Sequence, residues 1–195
     1  MSYFPKYKFA VDADGVLFDF DRFWAACAEM VLGHHLTVQK PVYALSERYG
    51  LTQAAVAKVW AGWEAMDGWA MVYPRPEGVR TVRMLLDMGH SVTVVTKLPN
   101  DRAVDGRRRS LQRHGIGDAG LIAVEGSKSG ALAALRPHFF ADDTVDHCVE
   151  AMGTMVPHVA RIQSWGDAQP LPLGIEDYAC LESAVRGFFE RYQQG

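Results

Sequence analysis

Hydrophobic positions along the chain fall into two rhythms. Short apolar runs of strand type occur at 8–12, 91–95, 121–124, 138–141 and 158–162. Between them, apolar residues recur at the i, i+3, i+4 spacing of one helix face. That spacing predicts helices over 77–88, 101–114, 129–135 and 145–152, and a last one over 175–192. Gly89 and Gly115 stand where two of these helices hand over to strands, as expected of a residue that ends a helix in the left-handed conformation without strain.

Regular strand–helix alternation predicts an α/β fold, a Rossmann-like parallel sheet sandwiched by helices. One stretch departs from it. A crossover between parallel strands needs only about a dozen residues, yet the chain from 19 to 65 is far longer and mostly helical. It reads as a small helical cap inserted after the first strand. Within it a helix is predicted over 19–32, Thr52 is placed to cap another over 53–65, and 40–48 admits a short helix after Pro41. An aromatic connector marked by Gly68, Pro74 and Pro76 leads back. The chain thus divides into a core of residues 1–18 and 75–195 and a cap of residues 19–74.

Composition narrows the function classes. A formal charge of −3 offers no general attraction to a nucleic acid polymer. The apolar runs are too short to span a membrane. The N-terminal residues lack the apolar stretch and small-residue cleavage site of a signal peptide. Three cysteines, Cys27, Cys148 and Cys180, have no paired spacing, which points to a reducing compartment and a cytoplasmic protein. The histidines give no zinc spacing: neither His34-His35 nor Asp146-His147-Cys148 sets two ligands on one helix face. They read as solvated or capping groups. Nothing in the sequence speaks to oligomeric state.

In an open parallel sheet, ligands bind beyond the carboxyl ends of the strands. Those ends carry, in order, Asp12-Ala13-Asp14-Gly15, then Thr96-Lys97, then Lys128 at a helix start, then Asp142-Asp143. Taken singly each has a plain structural explanation: a turn at Asp14-Gly15, a cap at Thr96, a solvated Lys128, a helix start at Asp142-Asp143. Together they suit phosphoryl transfer. Converging carboxylates call for a hard dication such as Mg²⁺. A hydroxyl, a lysine and backbone N–H groups can hold phosphate oxygens. A carboxylate can act as nucleophile, and a second can move the proton.

Asp12-Ala13-Asp14-Gly15-Val16-Leu17, the apolar strand ending at Thr96, Lys128, and Asp142-Asp143 after Phe139-Phe140-Ala141 resemble the haloacid-dehalogenase-like (HAD) superfamily. The resemblance covers most of the chain. It implies a phosphatase with Asp12 as nucleophile and metal ligand, and Asp14 as general acid/base lending its backbone carbonyl to Mg²⁺. It also implies that Thr96 and Lys128 bind phosphate, and that Asp142 or Asp143 completes the metal shell. Asp14 favours a phosphatase over the dehalogenases, which lack that acid.

The opening from Val11 to Phe20, with the segment from Tyr73 to Gly78, is further similar to the 5′(3′)-deoxyribonucleotidase group. That likeness implies a small phosphorylated metabolite of (deoxy)nucleoside monophosphate type, with Phe20 stacking on the base. Lys97 stands where that group usually has serine; it either adds a cation beside the phosphate or points to solvent. Trp60, Trp63 and Trp69 are either cap core or a stacking wall. The arginines Arg102, Arg107, Arg108, Arg109 and Arg113 read as a solvated helix face. The competing class is a catalytically silent binding or regulatory module on the same fold, against which the intact Asp12, Asp14, Thr96 and Lys128 argue.

Overall fold

The protein is described by a computed structural model over residues 5–164 and 170–193. Its centre is a six-stranded sheet in the order β5-β4-β1-β6-β7-β8. The strands are β1 (Lys8–Val11), β4 (Ser91–Lys97), β5 (Gly120–Val124), β6 (Phe139–Asp142), β7 (His158–Ile162) and β8 (Ile175–Tyr178). Every neighbouring pair is parallel.

Side-chain alternation along the strands builds two cores, one on each face of the sheet. Phe9, Val11, Val92, Val94, Phe139 and Ala141 join a cluster with Leu85 and Phe188. That face is covered by α5 (Pro76–Asp87) and α9 (Leu181–Gln193). Ala10, Val95 and Phe140 point the other way, onto Leu132, Cys148 and Ala151. Those belong to α7 (Ser129–Leu135) and α8 (Val145–Gly153). Fully buried strands of this kind require apolar residues at both parities, which is why the runs look continuous rather than alternating.

One prediction for this region needs correction. Residues 175–192 do not form a single helix. β8 occupies the first four positions and adds a sixth strand at the sheet edge, with Ile175 paired to Val159 and Tyr178 to Ile162. Short and half-exposed, β8 carries a helix-compatible pattern by chance. What fixes it as a strand is pairing with β7 and the hydrogen bond from Nε of Arg161 to Asp177, at 2.6 Å.

Between β1 and β4 the chain forms α1 (Phe20–Leu32), the single turn α2 (Leu45–Arg48), α3 (Gln53–Ala65) and α4 (Gly68–Met71). Asp19 caps α1 by accepting from the Arg22 amide, and Thr52 caps α3 by accepting from Ala55. Two short strands flank these helices. β2 (Phe18–Asp19) and β3 (Tyr73–Pro74) pair antiparallel, Phe18 with Pro74 and Asp19 with Tyr73. The chain therefore leaves and re-enters the sheet region side by side.

The inserted helices dock through α6 (Asp101–Arg113), where the expected solvated arginine face holds for Arg102, Arg108, Arg109 and Arg113 but not for Arg107. Arg109 donates from Nη2 to both carboxylate oxygens of Asp67 at 2.8 Å, and Arg102 donates to the Glu64 carbonyl at 2.7 Å. Arg107 is fully buried. Its turn of the helix faces the insertion, a tertiary fact that charge counting along α6 could not supply.

Candidate active site

Strand order decides what meets. β1 is flanked by β4 and β6, so the segments leaving β1, β4 and β6 open onto one crevice. The chain turns to opposite sides of β1 on leaving β4 and β6, the switch point at which α/β sheets hold ligands.

Asp12 follows β1 directly, its amide donating to the Ala141 carbonyl at 2.8 Å. Beyond it, amides of Leu17 and Phe18 both return to the Ala13 carbonyl, which folds residues 13–18 into a tight turn. Gly15 in that turn has φ +78°. Lys128, the N-cap residue of α7, is buried with Nζ 2.7 Å from Oδ1 of Asp12 and 2.7 Å from Oδ2 of Asp142. One ammonium thus bridges two strand ends.

Asp142 is fully buried and its oxygens are taken. Oδ2 accepts from Lys128, while Oδ1 lies 2.9 Å from the Thr144 amide and 3.0 Å from Nδ1 of His147. Asp143 faces the crevice instead; its Oδ2 accepts from the Ser164 hydroxyl at 2.9 Å. Carboxylate oxygens of Asp12, Asp142 and Asp143 all lie within 4.8 Å of one another.

Crowding of this kind moves the ionisations apart. Burial pushes Asp12 up to about 6, opposed by Lys128 and reinforced by Asp142 and Asp14. Asp142 pays a burial penalty too, but Lys128 and His147 hold it at about 2. Asp143 is raised well above the usual carboxylate range by burial and by its two acidic neighbours. Lys128 is desolvated, yet Asp12 and Asp142 keep its pKa raised and the ammonium charged. A dication fits this donor set. Hard carboxylate oxygens converge there, and those of Asp12 and Asp143 border the open crevice.

The crevice opens into a cavity of about 460 Å³. Its floor is Asp12, Asp14, Thr96, Lys128 and Asp143; Lys97 lies at its side. Phe20, Trp60, Trp69 and Tyr43 from the inserted segment form the roof. Every predicted site residue except Asp142 lines this space, and Asp142 stands immediately behind it. The tryptophans separate: Trp63 is fully buried packing, whereas Trp60 and Trp69 stack 6.0 Å apart at 18° and border the cavity.

Several neighbours were not singled out by sequence. His147, expected to be solvated or capping, is buried against Asp142. It sits five residues beyond Asp142 on the first turn of α8, a spacing that could have flagged it. Arg107 donates from Nη2 to both oxygens of Asp14, at 2.6 and 2.8 Å. Arg75 donates to the Gly15 carbonyl and so pins the turn after Asp14. Asp21 and Arg48 form an ion pair within the cavity wall. Arg75 falls within the 73–78 segment that carries the resemblance, whereas no local motif marks Arg48 or Arg107.

No protein-family model and no curated protein sequence matches the chain. Solved structures do. A HAD family hydrolase from Deinococcus radiodurans R1, with bound phosphate and sodium, aligns with a TM-score of 0.66 at 14% identity, covering 97% of each chain. The fold is that of haloacid-dehalogenase-like hydrolases. D,D-heptose 1,7-bisphosphate phosphatase from Burkholderia thailandensis aligns at 0.56 and 13% identity, over 94% of this chain and 99% of that one. A haloacid-dehalogenase-like family hydrolase from Xanthomonas campestris aligns at 0.58 and 13% identity, over 97% and 99%. Identities this low speak to the fold alone. Among the described residues, no helix is long and apolar enough to cross a membrane.

Proposed function

We propose that the chain is a Mg²⁺-dependent phosphomonoester hydrolase working through an aspartyl-phosphate on Asp12. The observation that carries this reading is the ammonium of Lys128, held 2.7 Å from both Asp12 and Asp142 at the floor of an aromatic-roofed cavity. It fixes the Asp12 carboxylate at the cavity floor and places a buried positive charge where phosphate oxygens would lie.

Asp12 attacks phosphorus, and the P–O bond to the leaving group breaks. Asp14, lining the same cavity, gives its proton to the departing oxygen. It then takes a proton from the water that attacks the aspartyl-phosphate, releasing inorganic phosphate and restoring Asp12. Thr96 and Lys128 hold the phosphate oxygens, and Lys97 adds a cation at the cavity side. Asp12, Asp143 and the backbone carbonyl of Asp14 would hold Mg²⁺. Asp142, with its oxygens engaged by Lys128, Thr144 and His147, orients that set from behind. When bound, the ion supplies the positive charge that lets one anion approach another.

Residues 19–74 serve as the cap, and the substrate is a small phosphorylated metabolite. A (deoxy)nucleoside monophosphate suits the aromatic roof, with Phe20 stacking on the base, which would make the enzyme a 5′-nucleotidase. A cytoplasmic setting agrees with the free thiols of Cys27, Cys148 and Cys180. The test is hydrolysis of p-nitrophenyl phosphate and of a panel of monoesters, nucleoside monophosphates included, with metal-stripped and Mg²⁺-replenished protein. Mg²⁺-restored turnover is expected. Equal turnover without metal sinks the assignment of the carboxylates, and phosphate-ester binding without turnover points to the silent module.

A further inference from the structure

Arg107 of α6 reaches the Asp14 side chain at the carboxyl-end turn without itself bordering the cavity. Its guanidinium is fully buried, while the Asp14 side chain that it grips is 24% exposed toward the cavity. The carbon of the guanidinium lies 4.7 Å from the ring centre of Phe18 and 5.5 Å from that of Trp69. Phe18 belongs to the turn after Asp14, and Trp69 to the inserted helices. Only Nη2 hydrogen-bonds; Nε and Nη1 are buried without a partner among the described residues. Burying a guanidinium with donors unsatisfied works against stability. The compensating contacts are therefore the two aromatic faces and Asp14.

We infer that Arg107 is a positioning residue that fixes the Asp14 carboxyl over the cavity and ties its placement to the docking of the inserted helices through Trp69. The geometry suits holding rather than masking. A single nitrogen serves both carboxylate oxygens, so each keeps a lone pair free on the cavity side. A buried, rigid fork wedged between two rings cannot swing with Asp14, so the carboxyl is held to one orientation. Close packing of α6 on α4 makes the link to the insertion direct: a Cβ on Gly106 would lie 2.8 Å from Cβ of Trp69. Any rise of α4 from α6 removes one wall of the Arg107 slot.

This inference rests on the proposed role of Asp14 in proton transfer, and the experiment separates the two. Arg107→Met, Arg107→Lys, Asp14→Asn and the double variant Arg107→Met/Asp14→Asn are compared on p-nitrophenyl phosphate and on an alkyl phosphate, each with Mg²⁺. Proton transfer to a leaving group is worth roughly 10²- to 10⁴-fold, and misplacement of its donor should forfeit part of it. Arg107→Met should lower kcat on the alkyl ester about 10- to 100-fold, with little change in KM and a much smaller loss on the nitrophenyl ester. Arg107→Lys, which keeps a cationic donor but loses the planar fork between the two rings, should recover only part of it. In the double variant Arg107→Met should add nothing to the loss from Asp14→Asn. Additive losses, or equal losses on both esters, overturn the inference while leaving Asp14 in place. If Asp14→Asn itself shows no dependence on the leaving group, the role of Asp14 falls and the inference with it. Should Arg107→Met fail to fold, the combination of Arg107→Lys with Asp14→Asn supplies the same comparison.

Discussion

Gly15 and Asp143 occupy space that only one side chain can fill. A Cβ on Gly15 would run into Oδ2 of Asp143, and the Gly15 backbone has φ +78°. Two independent constraints thus demand glycine between the Asp14 turn and the acidic pair after β6. The left-handed conformation alone costs a residue with a Cβ about 1–2 kcal/mol. Gly15→Ala should therefore lower the melting temperature and displace Asp143 from the carboxylate cluster. Mg²⁺-supported turnover should fall far more than stability does. A variant with normal Mg²⁺ dependence would show that Asp143 does not need its present position.

Lys128 neutralises a cluster that cannot stand alone. Removing one partner of a buried charge group leaves the others uncompensated, typically a loss of about 3–5 kcal/mol. Lys128→Met should be strongly destabilised and lose turnover by about 10²-fold or more, the scale of a lost oxyanion contact. Adding Asp142→Asn removes one of the stranded charges. The double variant should melt at a higher temperature than Lys128→Met yet stay inactive. Recovery of activity together with stability would mean that Lys128 serves the fold only.

What sequence reveals here follows from how local each determinant is. The carboxyl-end positions of Asp12, Thr96, Lys128 and Asp142-Asp143 follow from strand periodicity, because a buried parallel strand writes its length into an apolar run. β8 does not show in the sequence because a four-residue edge strand is defined by pairing with β7, not by its own pattern. Arg107 is hidden in the sequence for a related reason. Helix α6 is charged on most of its faces, and only the approach of α4 decides which arginine is buried. Asp142 and Asp143 look alike in sequence because adjacent acids carry no mark of orientation; in the fold the Thr144 amide and His147 engage Asp142, while Asp143 borders the cavity.

His90 and His158 make stability depend on pH. Both are buried, and burial lowers both pKa values. His90 also faces Lys6, which lowers it further; around His158, Glu176 acts to raise the value and Arg191 to lower it. A folded-state pKa below the unfolded one, about 6.5 for histidine, means the unfolded chain binds the proton first. Stability is then full above about pH 6.5 and declines as the pH falls below it. Asp12 and Asp143, raised in the folded chain, pull the other way, so the histidine share is read by difference: from pH 7.5 to 5.5 the melting temperature of His158→Phe should fall less, or rise more, than that of the parent. An unchanged slope in both His158→Phe and His90→Phe would remove the two histidines as the source; the Asp12 and Asp143 carboxyls act in the opposite sense and cannot replace them.

Phe20 and Trp63 lie 5.3 Å apart between ring centres but should fail in different ways. Trp63 is wholly enclosed and does not border the cavity, so Trp63→Ala removes packing, typically about 3–5 kcal/mol for a large aromatic. Its residual activity should fall alike on every ester, in step with the folded fraction. Phe20 is only partly buried and borders the cavity beside Trp69, at 6.3 Å and 25°. Phe20→Ala should leave p-nitrophenyl phosphate turnover within about 3-fold, yet cost a substrate with a planar base about 1–3 kcal/mol of stacking, or roughly 10- to 100-fold in kcat/KM. Part of that loss should appear in kcat, since contacts remote from phosphorus help to hold the reacting group in line. Equal losses on the nitrophenyl ester and on nucleoside monophosphates would make Phe20 a packing residue like Trp63. The aromatic roof would then have no part in choosing the substrate.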